Sequence, residues 1–183
     1  MDILIIALII VGIVAILLIS FYNSLVALRN RVKEAWAQID VMLKRRSDLI
    51  PNLVETVKGY ASHEKETLDA VISARSNFTN AKNVKEEIDA SNELTQTLGK
   101  LFALSEAYPD LKANQNFLQL QNDLSDTENK ISAVRESYNN IVTRYNNKVE
   151  QFPSSIVASM FKFVMAEFFS IPETEKEVPV VKF

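Results

Sequence analysis

A chain of 183 residues with no cysteine, three glycines and 23% charged side chains holds about one domain's worth of length beyond any membrane segment. It cannot form a disulfide framework, a zinc ribbon or a thiol nucleophile. A net charge of −3 argues against nucleic acid as a partner, because counterion release needs a basic face.

The first element is apolar. From Ile3 to Phe21 no side chain ionises, and every residue except Ala7, Gly12, Ala15 and Ser20 is Ile, Leu, Val or Phe. As a helix this run covers about 28 Å, close to the hydrocarbon thickness of a bilayer. Residues 1–22 therefore read as a transmembrane helix. A cleaved signal peptide fits less well: Met1-Asp2 brings no basic n-region, and no small-x-small site follows the run. Arg29, Arg31 and Lys33 follow the span and no basic residue precedes it, which predicts an outside N-terminus and a cytoplasmic C-terminal bulk.

Residues 23–152 read as a helical bundle. Leu25, Leu28, Val32, Ala35, Ile39, Met42, Leu49, Leu53 and Tyr60 follow three- and four-residue steps, a coiled-coil-like stripe along one long helix. Arg46 interrupts the stripe, and Pro51 removes a backbone donor one turn later, so a bent but nearly continuous helix is expected. Lys44-Arg45-Arg46 reads as a solvated basic face paired with Asp48 or nearby acids. Arg46 alone falls where a core residue belongs.

Leu68, Val71, Ile72 and Phe78 define a second, shorter helix ending near residues 80–83. A third carries Val84, Ile88, Leu94, Leu98, Leu101, Phe102 and Leu104, and stops before Pro109; Tyr108-Pro109-Asp110 reads as a turn. The fourth runs from Phe117 through Leu120, Leu124, Thr127, Ile131, Val134, Tyr138, Ile141 and Tyr145 to Phe152, about forty residues or roughly 60 Å. Short loops make neighbours antiparallel, so the expected fold is all-α: a transmembrane helix followed by a long antiparallel four-helix bundle. Its fourth pass returns the chain toward the bilayer.

Residues 153–183 follow Pro153 as an apolar segment and an extended tail. With only Lys162 and Glu167 charged between Ile156 and Phe169, the segment needs a cover: its own bundle, a neighbouring subunit or the membrane interface. Phe161, Phe163, Phe168, Phe169, Arg46 and the terminal Phe183 are the candidate membrane- or subunit-interface residues.

No catalytic, cofactor or metal site is expected. His63 is the only histidine, and Thr67 stands where a zinc protease helix needs a second. Tyr60 stands where a Glu-x-x-His pair needs its Glu. No Gly-x-Ser-x-Gly elbow occurs, and Gly12, Gly59 and Gly99 are too scattered to cradle phosphate. Tyr138-Asn139-Asn140 recurs as Tyr145-Asn146-Asn147, which places two tyrosines on one helix face as core residues with satisfied tips.

Several stretches together resemble the LemA family: Tyr22-Asn23, Trp36-Ala37-Gln38-Ile39-Asp40, Arg45-Arg46-Ser47-Asp48-Leu49-Ile50-Pro51-Asn52-Leu53-Val54, Lys58-Gly59-Tyr60-Ala61, His63-Glu64, Tyr108-Pro109-Asp110-Leu111-Lys112-Ala113-Asn114 and Glu177-Val178-Pro179. The resemblance implies a bacterial, inner-membrane-anchored helical bundle without established catalytic residues, and some relatives are associated with intracellular membrane compartments. The expected function is a non-enzymatic scaffold that contacts lipids and self-assembles into homo-oligomers through its long helices, shaping or organising membrane. The alternative is an adaptor or regulatory subunit that presents its bundle or tail to a membrane enzyme such as a quality-control protease.

Overall fold

The computed structural model describes residues 2–170, and the expectations for the extended tail, Phe183 included, lie outside them. The described residues are 83% helical and contain no strand. Six helices follow in order: α1 (Asp2–Lys58), α2 (Lys65–Thr79), α3 (Val84–Ser105), α4 (Pro109–Lys112), α5 (Gln115–Glu150) and α6 (Ser154–Met160). They form two compact units, one of residues 2–38 and 136–168, the other of 39–135 and 169–170.

In the first unit α1 and α5 run antiparallel. The Trp36 ring meets Tyr138 edge-on at 5.4 Å, and Lys148 Nζ lies 5.1 Å above the Phe21 ring. Leu25, Val32 and Ala35 of α1 are buried, as are Tyr138, Val142 and Tyr145 of α5. Residues 2–20 of α1 are exposed throughout. This unit thus has two long helices rather than four, with α6 and the segment after it packed alongside.

The second unit combines parts of α1 and α5 with α2, α3 and α4. Ile50, Leu53, Val54 and Val57 of α1, Leu68, Val71 and Ala74 of α2, Leu94, Leu98 and Leu101 of α3, and Phe117 and Leu124 of α5 share one core, with Leu111 of α4. Ile72, expected on the inward face of α2, is exposed, because Leu68, Val71, Ala74 and Phe78 complete the buried stripe without it. Tyr60 is exposed as well, since α1 has ended at Lys58.

Helix α1 passes through Pro51 without a break. Proline has no N–H to give the carbonyl four residues back, and Arg75 Nε donates to that carbonyl, Ser47 O, at 3.0 Å. Asn83 caps α3: Glu86 N donates to Asn83 Oδ1 at 3.0 Å, while Lys82 N donates back to Glu86 Oε2 at 2.8 Å, a variant of the capping box. The stretch expected as a turn at Tyr108-Pro109-Asp110 is instead the start of a one-turn helix, because proline fits the first helical position, where its missing donor has no partner to lose. Asn114 Oδ1 then accepts from Phe117 N at 3.0 Å and caps α5.

Candidate functional site

Three side-chain constellations stand out, each contained within one unit. In the second unit Arg46 is 1% exposed. Its Nη1 donates to Thr95 Oγ1 at 2.8 Å and Glu128 Oε2 at 2.9 Å; its Nη2 donates to Ser91 Oγ at 2.7 Å and Ser91 O at 3.0 Å. One guanidinium thereby ties α1 to α3 and α5. Burial lowers its pKa and the Glu128 carboxylate opposes that shift. Arg46 Nε and Ser47 Oγ have no hydrogen-bond partner.

The basic run is therefore divided. Lys44 and Arg45 are exposed and fit the expected solvated face. Arg46 does not, and it pairs with Glu128 rather than Asp48, because it sits on the inward stripe while Asp48 faces solvent. Its partners went unrecognised in the sequence, although Ser91 leaves a polar gap in the α3 stripe, between Ile88 and Leu94, that mirrors the gap Arg46 leaves in α1. Beside this node a groove of about 540 Å³ opens between α3 and α5, walled by Leu98, Gly99, Phe102, Leu124 and Ser125. Arg46 is held by four hydrogen bonds from its two Nη atoms, and its charge faces the Glu128 carboxylate. That arrangement fixes helix register better than it transfers protons.

The second constellation joins two loops. Tyr108 Oη donates to Glu64 Oε1 at 2.8 Å, and Asn114 Nδ2 donates to Tyr60 Oη at 2.9 Å. The bond to Glu64, with burial adding to it, raises the Tyr108 pKa. Residues of the Lys58–Ala61, His63-Glu64 and Tyr108–Asn114 motifs thus meet one another across the bundle. His63 itself is exposed in the turn before α2.

The third lies in the first unit. Helix α6 ends with Lys162 in the left-handed region at φ 55°, and Phe163 N donates to Ala158 O at 2.9 Å, a Schellman closure with lysine where glycine is usual. The chain reverses there and runs back along α5 as a strap. Tyr145 Oη donates to Val164 O at 2.9 Å, Tyr138 Oη to Glu167 O at 2.8 Å, and Asn146 exchanges two hydrogen bonds with Ala166. The recurrent Tyr-Asn-Asn motif is the strap's holder, and its tyrosine tips are satisfied as expected. Burial, with Glu167 nearby, raises the Tyr138 pKa to about 12; burial also raises that of Tyr145, against the opposing charge of Arg29.

The interface candidates separate on this geometry. Phe163 is buried against Tyr22 at 5.8 Å, under Arg29 at 5.1 Å. Phe169, in the second unit, is buried with Arg135 5.8 Å from its ring. Both are covered by their own chain. Phe161 and Phe168 are exposed, and Phe161 packs on Tyr22 at 4.7 Å. The segment after Pro153 thus lies beside the α1 residues that close the apolar run.

An all-helical protein whose long N-terminal helix begins with an exposed apolar run, and whose helices and loops are tied together by buried polar side chains, is the class defined here. The LemA family model matches residues 35–183, and the chain belongs to the LemA family. It is 27% identical over 167 residues to Protein LemA of Metamycoplasma hominis, an alignment covering 91% of this chain and 76% of that relative.

Proposed function

We propose that this chain is a non-enzymatic membrane scaffold, anchored by residues 2–20 in the bacterial cell membrane with its bundle on the cytoplasmic side, and that it works as a homo-oligomer. The observation that carries this reading is the state of α1. Its 18-residue apolar window has a mean hydropathy of 3.4 and none of it is buried, yet the same continuous helix goes on to supply the packed cores beyond it. Exposing so much apolar surface to water would cost tens of kcal/mol at about 25 cal/mol per Å², so lipid is the natural solvent for it. Arg29, Arg31 and Lys33 after the run favour the cytoplasmic side. The polar constellations hold helices and loops together, which suits a protein whose working element is its surface.

The test has two parts. Alkaline carbonate washing of membranes should leave the full chain in the pellet, and light scattering in mild detergent should give a protein mass above the 20.7 kDa of one chain. Release by carbonate would remove the anchor, and a monodisperse monomer would remove the scaffold. The groove beside Arg46 supports the adaptor reading as second choice: a specific membrane-enzyme partner recovered with a monomeric chain would favour it.

A further inference from the structure

We infer that residues 152–161 form a second, interfacial attachment to the bilayer, an apolar plate seated at the headgroup boundary beside the span. This deepens the proposed function and rests on its reading that residues 2–20 cross a membrane.

The plate carries apolar side chains both toward its own unit and away from it. Ser154, Val157 and Ala158 of α6 are buried against their own unit. The opposite face carries Ile156 at 52% exposure and Met160 at 63%, one turn apart, with Phe152 before the helix at 81% and Phe161 after it at 55%. Packing against the chain itself has therefore left four large apolar side chains on one contiguous stretch uncovered. Single exposed apolar residues are ordinary; a cluster of this kind marks a contact surface.

Its position identifies the contact. Phe161 meets Tyr22 at 4.7 Å and Lys148 covers Phe21, and Phe21 and Tyr22 are where the exposed apolar run of α1 ends. The uncovered face is thus continuous with the surface of the span itself. Aromatic rings at the end of a span belong to the interfacial belt. Beside the plate Arg29 lies over the Phe163 ring and Lys148 over the Phe21 ring, each at 5.1 Å, and Lys162 follows Phe161 directly. That charge suits anionic headgroups, while long lysine and arginine stems let the cations reach water above an apolar floor. A second copy of the chain would bring the same cations to the contact, so lipid is the better-matched occupant.

The experiment uses the full chain in vesicles of phosphatidylglycerol and phosphatidylcholine whose acyl chains are brominated near the headgroup. Trp36, the only tryptophan, lies fourteen residues beyond Tyr22 along α1, about 21 Å, and reports a position clear of lipid. Three further variants carry Trp36→Phe together with Leu18→Trp, Phe161→Trp or Met160→Trp, so that each has one indole in the span or on the plate. The expected result is that indoles at positions 18, 160 and 161 each lose about half of their emission relative to unbrominated vesicles while Trp36 in the parent chain is unchanged. Adding Met160→Glu to the Phe161→Trp chain should reduce that quenching several-fold with the helical circular dichroism intact. Quenching at 18 with none at 160 or 161 overturns the plate and leaves the anchor standing. No quenching at 18 overturns both.

Discussion

Asn146 holds the Ala166 peptide from both sides: its Nδ2 donates to Ala166 O and its Oδ1 accepts from Ala166 N, each at 2.9 Å. A buried side-chain amide is thereby used as a strand edge would be, pinning an irregular segment to a helix. Asn146→Ala leaves both backbone groups without partners, at a cost of about 2 kcal/mol. Hydrogen exchange at residues 163–168 should then quicken by an order of magnitude or more while the amides of α1 beyond residue 23 keep their protection. Asn146→Asp retains the acceptor but sets a carboxylate against Ala166 O, and should loosen the strap to a similar degree. Unchanged protection in both variants would mean that the strap is held by its apolar contacts alone.

Arg46 and Glu128 form the pair whose halves are predicted to be worth more together than apart. Removing one partner of a fully buried charge pair costs roughly 3–5 kcal/mol, and solvent at Glu128 brings this pair below that range. Glu128 is 40% exposed on its side chain and can be rehydrated, so Glu128→Ala, which strands the fully buried cation, should cost more than half as much as Arg46→Ala. Arg46→Met with Glu128→Leu should recover most of the loss. A denaturant double-mutant cycle measures this, and additive losses would show that Ser91 and Thr95 carry the node without Glu128.

The Arg75 bond to Ser47 O exists because Pro51 cannot donate to that carbonyl. Arg75→Ala should therefore destabilise the native chain by about 1 kcal/mol but cost only a few tenths in a Pro51→Ala background, where residue 51 regains its N–H. Thermal unfolding of the four combinations reads the coupling. Equal losses in the two backgrounds would assign Arg75 some other role.

Much of this architecture is legible in the sequence, because helical periodicity in Leu25 to Leu53 and in Phe117 to Tyr145 is long and regular, and long periodic runs specify their own burial. What escaped were the features decided by neighbours. The stripe tells Arg46 from Arg45 but names none of its partners; only the groups from α3 and α5 make its burial tolerable. Likewise Pro51 signals a lost bond but not the arginine that replaces it, and Pro109 reads as a turn until its fit at a first helical position is seen. The Phe-rich segment was recognisable as needing cover. Which of its rings turn inward depended on the reversal at Lys162, a left-handed lysine that the sequence does not announce.

Tyr138 makes the strap sensitive to alkali. Its phenol ionises at about 12 in the folded chain against an ordinary value of 10.0, so folding favours the protonated form. That contribution is whole below pH 10 and is lost as pH rises from 10 to about 12, on the order of 2 kcal/mol at most. Tyrosinate absorbance compared between the native chain and Tyr138→Phe isolates this group. The Tyr138→Phe chain should lose strap protection with a shallower pH dependence over that window. A Tyr138 titration centred near 10 with the strap still protected would contradict the assignment.

The central claim is that the chain comes back to the place where its apolar helix ends, and the pair Tyr22 and Phe161 tests it most directly. Because the sequence has no cysteine, Tyr22→Cys with Phe161→Cys introduces the only two thiols, and a short bifunctional thiol reagent applied to intact membranes can join them. A rapid cross-link within one chain, absent when the second thiol is moved to exposed Gln38, sixteen residues beyond Tyr22 on α1 and about 24 Å away, is the predicted result. Cross-links only between chains, or none while both thiols remain reactive, would contradict it.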